Sequence, residues 1–74
     1  MAAMDRDHKE LARRLFVLAT EIAEEANEAA LSGQDAAAPT GTLIAAAESL
    51  GREAQELQAV ATAIVAVVGR AVEP

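Results

Sequence analysis

In the second half of the chain Leu43, Leu50, Leu57, Ile64 and Ala71 recur at intervals of seven residues. Between them fall Ala46 or Ala47, Ala54, Val60 or Ala61, and Val67 or Val68. An apolar repeat of seven places one seam along an α-helix and draws that helix into left-handed coiled-coil or bundle geometry. The pattern predicts a helix over about 40–71, with Thr40 and Thr42 as candidate N-caps and Pro39 separating it from what precedes.

A second stripe runs through the first half. Leu11, Leu15, Leu18, Ile22, Ala26 and Ala29 follow at steps of three and four, which again is one face of a helix. Asp7 with Glu10 has capping-box spacing at its start, and Asp5 is the alternative cap. Gly33 is the expected stop, because glycine enters the left-handed conformation of a helix C-terminus without steric cost. The expected organisation is a single domain: a helix over about 6–32, a loop over about 33–39 and a helix over about 40–71. A loop this short forces the helices antiparallel. The fold class is therefore all-α, an antiparallel two-helix hairpin with helices roughly 40 Å long.

Such a hairpin has difficulty standing alone. The chain has 74 residues, 53% of them hydrophobic, 1% aromatic and no cysteine. Chains this small bury too little surface unless disulfides, a metal or a second copy assist, and without cysteine the first remedy is absent. The stretch carrying Val60, Ile64, Val65, Val67 and Val68 is apolar around nearly the whole helix, and one neighbour covers only part of it. Folding back sets it beside Leu11, Leu15, Phe16, Leu18 and Ile22, and the two regions make a band that calls for another chain. The expected self-association residues are twelve: Leu11, Leu15, Phe16, Leu18, Ile22, Leu43, Leu50, Leu57, Val60, Ile64, Val67 and Val68. Two hairpins closing into a homodimeric four-helix bundle would bury them.

The net charge of −6, with six Lys and Arg in all, argues against nucleic acid and anionic membrane surfaces as partners. The opening residues lack the apolar core of a signal peptide, and the longest nearly uncharged run, residues 58 to 69, is short of the roughly 20 that span a bilayer. The expected location is the cytoplasm.

Chemistry is sparse. His8 is the single histidine and lies among Asp5, Asp7 and Glu10, where acids favour a helix N-terminus, so its expected place is a solvated first turn. No nucleophile has a base nearby in sequence, and no phosphate-cradling or dinucleotide motif is present. No catalytic residue, cofactor or metal ligand is expected. Glu21, Glu24, Glu25 and Glu28 cluster at helical spacing, and carboxylates in a four-helix bundle raise the alternative of a carboxylate-ligated metal-binding bundle. The Glu-x-x-His pair of di-iron bundles is missing, which leaves a solvated acidic face. On that face Arg52 is expected to offset Glu21 or Glu24, and Arg13 or Arg14 to offset Glu56. With Gly33 and Gln34 beside the loop, these four glutamates are the candidate surface for a protein partner.

The stretch Ala26-Asn27-Glu28-Ala29-Ala30-Leu31-Ser32-Gly33-Gln34 resembles the signalling tip of methyl-accepting chemotaxis receptors. Gly41-Thr42-Leu43-Ile44-Ala45-Ala46-Ala47-Glu48 is similar to the returning helix of that tip. The resemblance implies a dimeric four-helix bundle that binds a kinase-coupling protein, with Glu28, Gly33 and Gln34 at the matching positions. The family's arginine stands here as Leu31, its return-helix phenylalanine as Thr42, and the loop carries extra residues over 36–39. The leading expectation is a small, non-enzymatic interaction or adaptor protein acting through a dimeric bundle surface; the alternatives are the receptor-tip-like signalling module and the metal bundle.

Overall fold

A computed structural model describes residues 6–72 and, within the last turn, leaves aside the side chains of residues 71 and 72. Helix α1 runs Arg6–Ser32 and helix α2 runs Thr40–Val72, packed against each other as an antiparallel hairpin. The all-α hairpin expected from periodicity is the fold. Asp5 lies outside the described residues, and with α1 already under way at Arg6, Asp7 sits within the first turn rather than capping it.

The turn between the helices is made differently from expectation. Among the described residues no glycine has a positive φ, so Gly33 ends α1 without the left-handed conformation. Its N–H still donates to Ala29 O at 3.2 Å, and the Gln34 N–H then donates to Leu31 O at 3.0 Å, which tightens the last turn into i→i−3 bonding. Asp35 organises the loop: its Oδ1 accepts the Ala37 N–H at 2.9 Å and its carbonyl accepts the Ala38 N–H at 3.0 Å. A short carboxylate that mimics a backbone turn in this way is the physical reason Asp favours such positions. The Pro39 carbonyl accepts from both Thr42 and Leu43 N–H, so Pro39 holds the cap position and Thr40 and Thr42 are already helical. Proline costs nothing there because its missing N–H would have had no helical partner.

The helices meet along an alanine seam. On α1 the main line of buried and half-buried positions is His8, Ala12, Leu15, Ala19, Ile22, Ala26 and Ala29, at steps of four and three, with Glu10 and Ala30 half-buried beside it. On α2 the corresponding line is Ala46, Ser49, Glu53, Leu57, Val60, Ile64 and Val67. Small side chains at every second contact let the two backbones approach closely, but each contributes little buried area. The fully buried apolar residues are Ala12, Ile22 and Val60, at 5%, 6% and 9% exposure, and among the described residues no large side chain is wholly enclosed.

This seam differs from both predicted stripes. Leu11 and Leu18 belong to it by periodicity, yet they stay 47% and 41% exposed on one side. Leu43 and Leu50 are displaced to the other side at 40% and 36% exposure, whereas Leu57 and Ile64 are half-buried. The reason is rotational. At about 100° per residue a leucine every seven positions drifts slowly around a straight helix, and the contact line through Glu53 and Val60 takes the phase that sets the small Ala46 and Ser49 against α1.

The loop end has its own geometry. A Cβ placed on Gly33 would lie 3.9 Å from the Ala46 Cβ, so the end of α1 stands level with Ala46. The first turn and a half of α2, about 9 Å of helix, therefore projects past α1. Leu43 and Ile44 on this projection remain exposed, as does Leu31 opposite, so surplus apolar surface occurs at both ends of the rod and not at the far end alone.

Candidate functional site

Two flanks run along the hairpin, one on each side of the seam, and they differ in chemistry. The first is acidic. Leu18, Glu21 and Glu25 of α1 form an open groove with Glu56 and Ala59 of α2, floored by Ile22 and Val60. The arginines expected to neutralise it across the hairpin do otherwise. Arg13 Nε and Nη2 donate to the two Glu10 carboxylate oxygens at 3.1 and 2.7 Å, and Arg14 Nε donates to Glu10 Oε2 at 3.1 Å. Arg52 Nη2 donates to Ser49 Oγ at 3.0 Å on its own helix. Helical i, i+3 and i, i+4 neighbours are simply nearer than a partner across the seam, and long exposed side chains take the nearer acceptor. The Arg13 hydrogen bonds, then those of Arg14, hold the Glu10 carboxyl well below its ordinary value of 4.5, at about 2, and Glu10 in turn raises Arg13.

The glutamate cluster divides between surfaces. Glu21 and Glu25 face the acidic groove, while Glu24 and Glu28 border a shallow depression with Thr20, Ala23 and Asn27 on the outer face of α1. Among the described residues no three His, Asp or Glu side chains come together in a way that holds a metal ion. Gly33 and Gln34 open on the opposite flank from Glu25, beside Ala30, Leu43, Ala47 and Leu50. The residues that carry the chemoreceptor resemblance thus point in different directions: Glu28 outward from α1, Gly33 and Gln34 into an apolar cleft.

The second flank is uncharged. It begins at that cleft and continues by helical phase: two heptads back from Ala30 stands Phe16, 59% exposed, and five turns on from Ala47 stands Val65, 71% exposed. Of the twelve residues expected to drive self-association, Ile22 and Val60 are consumed inside the hairpin, while Leu15, Leu57, Ile64, Val67 and Val68 are partly covered by it. Phe16, Leu43 and Leu50 remain available on the uncharged flank, and Leu11 and Leu18 remain on the acidic one.

Periodicity passes over Glu53. It occupies the seam seven residues from both Ala46 and Val60, half-buried, and its Oε1 is shielded from solvent with no hydrogen-bond partner. Laying the repeat through alanine instead of leucine would have found it. His8 is likewise half-buried, not fully solvated as its acidic neighbourhood suggests. No described helix is long and apolar enough to cross a membrane. Compared with protein-family models, characterised proteins and solved structures, the chain finds no match in any of the three.

Proposed function

We propose that this chain is a small cytoplasmic, non-enzymatic interaction protein that works as a homodimer, two hairpins closing into a four-helix bundle whose outer helical faces receive a protein partner. The observation that carries this reading is the mismatch between its core and its surface. Among the described residues three apolar side chains are buried, while nine large ones, Phe16, Leu31, Ile44 and Val65 among them, are exposed. A pair of helices joined by so thin a seam does not offset the conformational entropy of ordering more than sixty residues, and a second hairpin supplies the missing burial. The division of Glu21 and Glu25 from Glu24 and Glu28 between two surfaces supports reading these carboxylates as solvated helical faces open to a partner.

Sedimentation equilibrium at low micromolar concentration tests it: a mass of two chains is expected, with a thermal midpoint that rises with concentration. A folded, helical monomer refutes the proposal.

A further inference from the structure

The proposed dimer leaves open which side of the hairpin meets the second copy, and the two flanks decide it. The chain exposes 5559 Å². A compact monomer of 7.6 kDa exposes roughly 4,300 Å². The surplus of about 1,250 Å² exceeds the roughly 800 Å² that each partner contributes to a stable interface of standard size. The radius of gyration, 16.9 Å, is likewise that of a rod, against about 11 Å for a compact domain of this length. The area a stable dimer needs is therefore present on one hairpin, in elongated form.

Charge assigns it. On the acidic flank Glu21, Glu25 and Glu56 surround Leu18, and Arg52 is turned to Ser49. Two copies meeting there about a two-fold axis would bring six carboxylates into one partly dried interface, where like charges oppose association. The other flank presents Phe16 on α1 and Leu43, Leu50 and Val65 on α2. Along the heptad lines joining them, from Phe16 through Ala23 to Ala30 and from Ala47 through Ala54 to Ala61, no charged residue intervenes. An interface core depleted of charge and holding an aromatic anchor is what distinguishes association surfaces from ordinary surface. The α2 heptad thus divides: Leu43 and Leu50 face outward with Val65, while Leu57 and Ile64 belong to the line against α1.

We propose that a second copy of this chain docks on the Phe16, Leu43, Leu50 and Val65 flank, two copies related by a two-fold axis, with Glu21, Glu25 and Glu56 left in solvent on the outside of the bundle. This rests on the homodimer reading above and is tested so that the two can fail separately.

The chain has no cysteine, so single replacements report cleanly. Val65→Cys and Leu50→Cys are compared with Leu18→Cys in full-length protein, measuring reaction with a water-soluble thiol reagent at concentrations where sedimentation gives two chains. Positions 50 and 65 are expected to react about tenfold or more slowly than position 18, and to gain reactivity on dilution into monomer. In parallel, Leu50→Glu is expected to weaken dimerisation about 30-fold or more, since each copy would bury a charge, while Leu18→Glu leaves the mass at two chains. Because the thiol comparison places small uncharged side chains at positions exposed on the hairpin, it stands even where Leu50→Glu unfolds the chain. A dimer in which the thiol of Leu18→Cys is protected and that of Val65→Cys reacts freely overturns the choice of flank and leaves the dimer intact. A folded monomer, or an assembly of three or more chains, overturns the dimer and this inference with it.

Discussion

Glu53 is a carboxylate in the wrong place for stability, and replacing it with leucine tests the alanine-seam geometry directly. It stands in the α2 line between Ser49 and Val60, half-buried against α1, with Oε1 enclosed and unpartnered. An enclosed polar atom lacking a hydrogen bond costs about 1–3 kcal/mol of desolvation. Leucine at the same site removes that cost and adds apolar burial, up to about 1.5–3 kcal/mol for a side chain fully enclosed and roughly half that for one half-buried. Helix propensity is nearly equal for the two residues, so the backbone term cancels. Glu53→Leu should therefore stabilise the protein by about 2–3 kcal/mol. For a domain of this size, that raises the thermal midpoint by roughly 10–20 °C. Circular dichroism melts of the helical signal, on wild type and variant at the same concentration, provide the measurement. The rise should persist over a wide concentration range, because the substitution acts inside one hairpin. Glu53→Gln, which keeps the shape and leaves a polar atom enclosed, should recover little of the gain. A midpoint that stays put or falls for Glu53→Leu would show that the carboxylate is solvated or partnered and that the α2 contact line lies elsewhere.

The helix interior, the core and the Glu10 pairing with Arg13 and Arg14 can each be probed in the same way. Gly51 lies in the interior of α2 with nothing within 4 Å of an added Cβ, so Gly51→Ala should stabilise by about 0.8–1 kcal/mol; a lower midpoint instead would mean that a partner surface packs on that face. Ile22, 6% exposed, should lose about 1 kcal/mol on Ile22→Val and about 2–5 kcal/mol on Ile22→Ala, enough in so thin a core to remove helicity at room temperature; a folded Ile22→Ala protein contradicts the seam. The folded Glu10 carboxyl titrates at about 2 against an ordinary 4.5, so its contribution is fully present above pH 4.5 and lost as pH falls toward 2. In urea titrations the stability difference between wild type and Glu10→Gln should shrink across that window and also shrink in high salt, since the groups are exposed; a difference that grows on acidification refutes the Arg13 and Arg14 pairing.

Fold class, helix extents and the antiparallel turn are legible in the sequence because they depend on period and on breakers, both local properties. Gly33 and Pro39 bracket the loop wherever the helices sit, and α1 ends at Ser32 as the pattern requires. The manner of turning is not legible, because Asp35 competes with glycine for the task and its side chain decides the outcome through one hydrogen bond to Ala37. Helix rotation is not legible either. Leu11 and Leu18 lie within one helical step of the true line, and hydrophobicity alone favours the larger residue at each choice. The charge pairs across the hairpin fail for a related reason: they presume a rotation that brings Arg52 toward α1, while intrahelical acceptors stand closer.

The rotation itself has a physical cause that links fold to function. Were α2 to turn Leu43 and Leu50 onto α1, the hairpin would bury more area per contact, but α1 would meet them with Ala26, Ala29 and Gly33, leaving gaps that close packing does not tolerate. Alanine against alanine instead permits near approach of the two backbones, and even a Cβ added at Gly33 would come only to ordinary contact with Ala46. Leu43 and Leu50 are then released to one side together with Phe16, and Glu21, Glu25 and Glu56 to the other. A single choice of phase thus produces both the thin internal core and the charge-free flank. Substitutions that enlarge the alanine line, such as Ala19→Leu, should rotate the helices, draw Leu50 inward and weaken self-association as the isolated hairpin gains stability. The opposite pairing, a more stable hairpin that also dimerises more tightly, would show that the two surfaces are independent and that the phase of α2 is set by something other than the alanine seam.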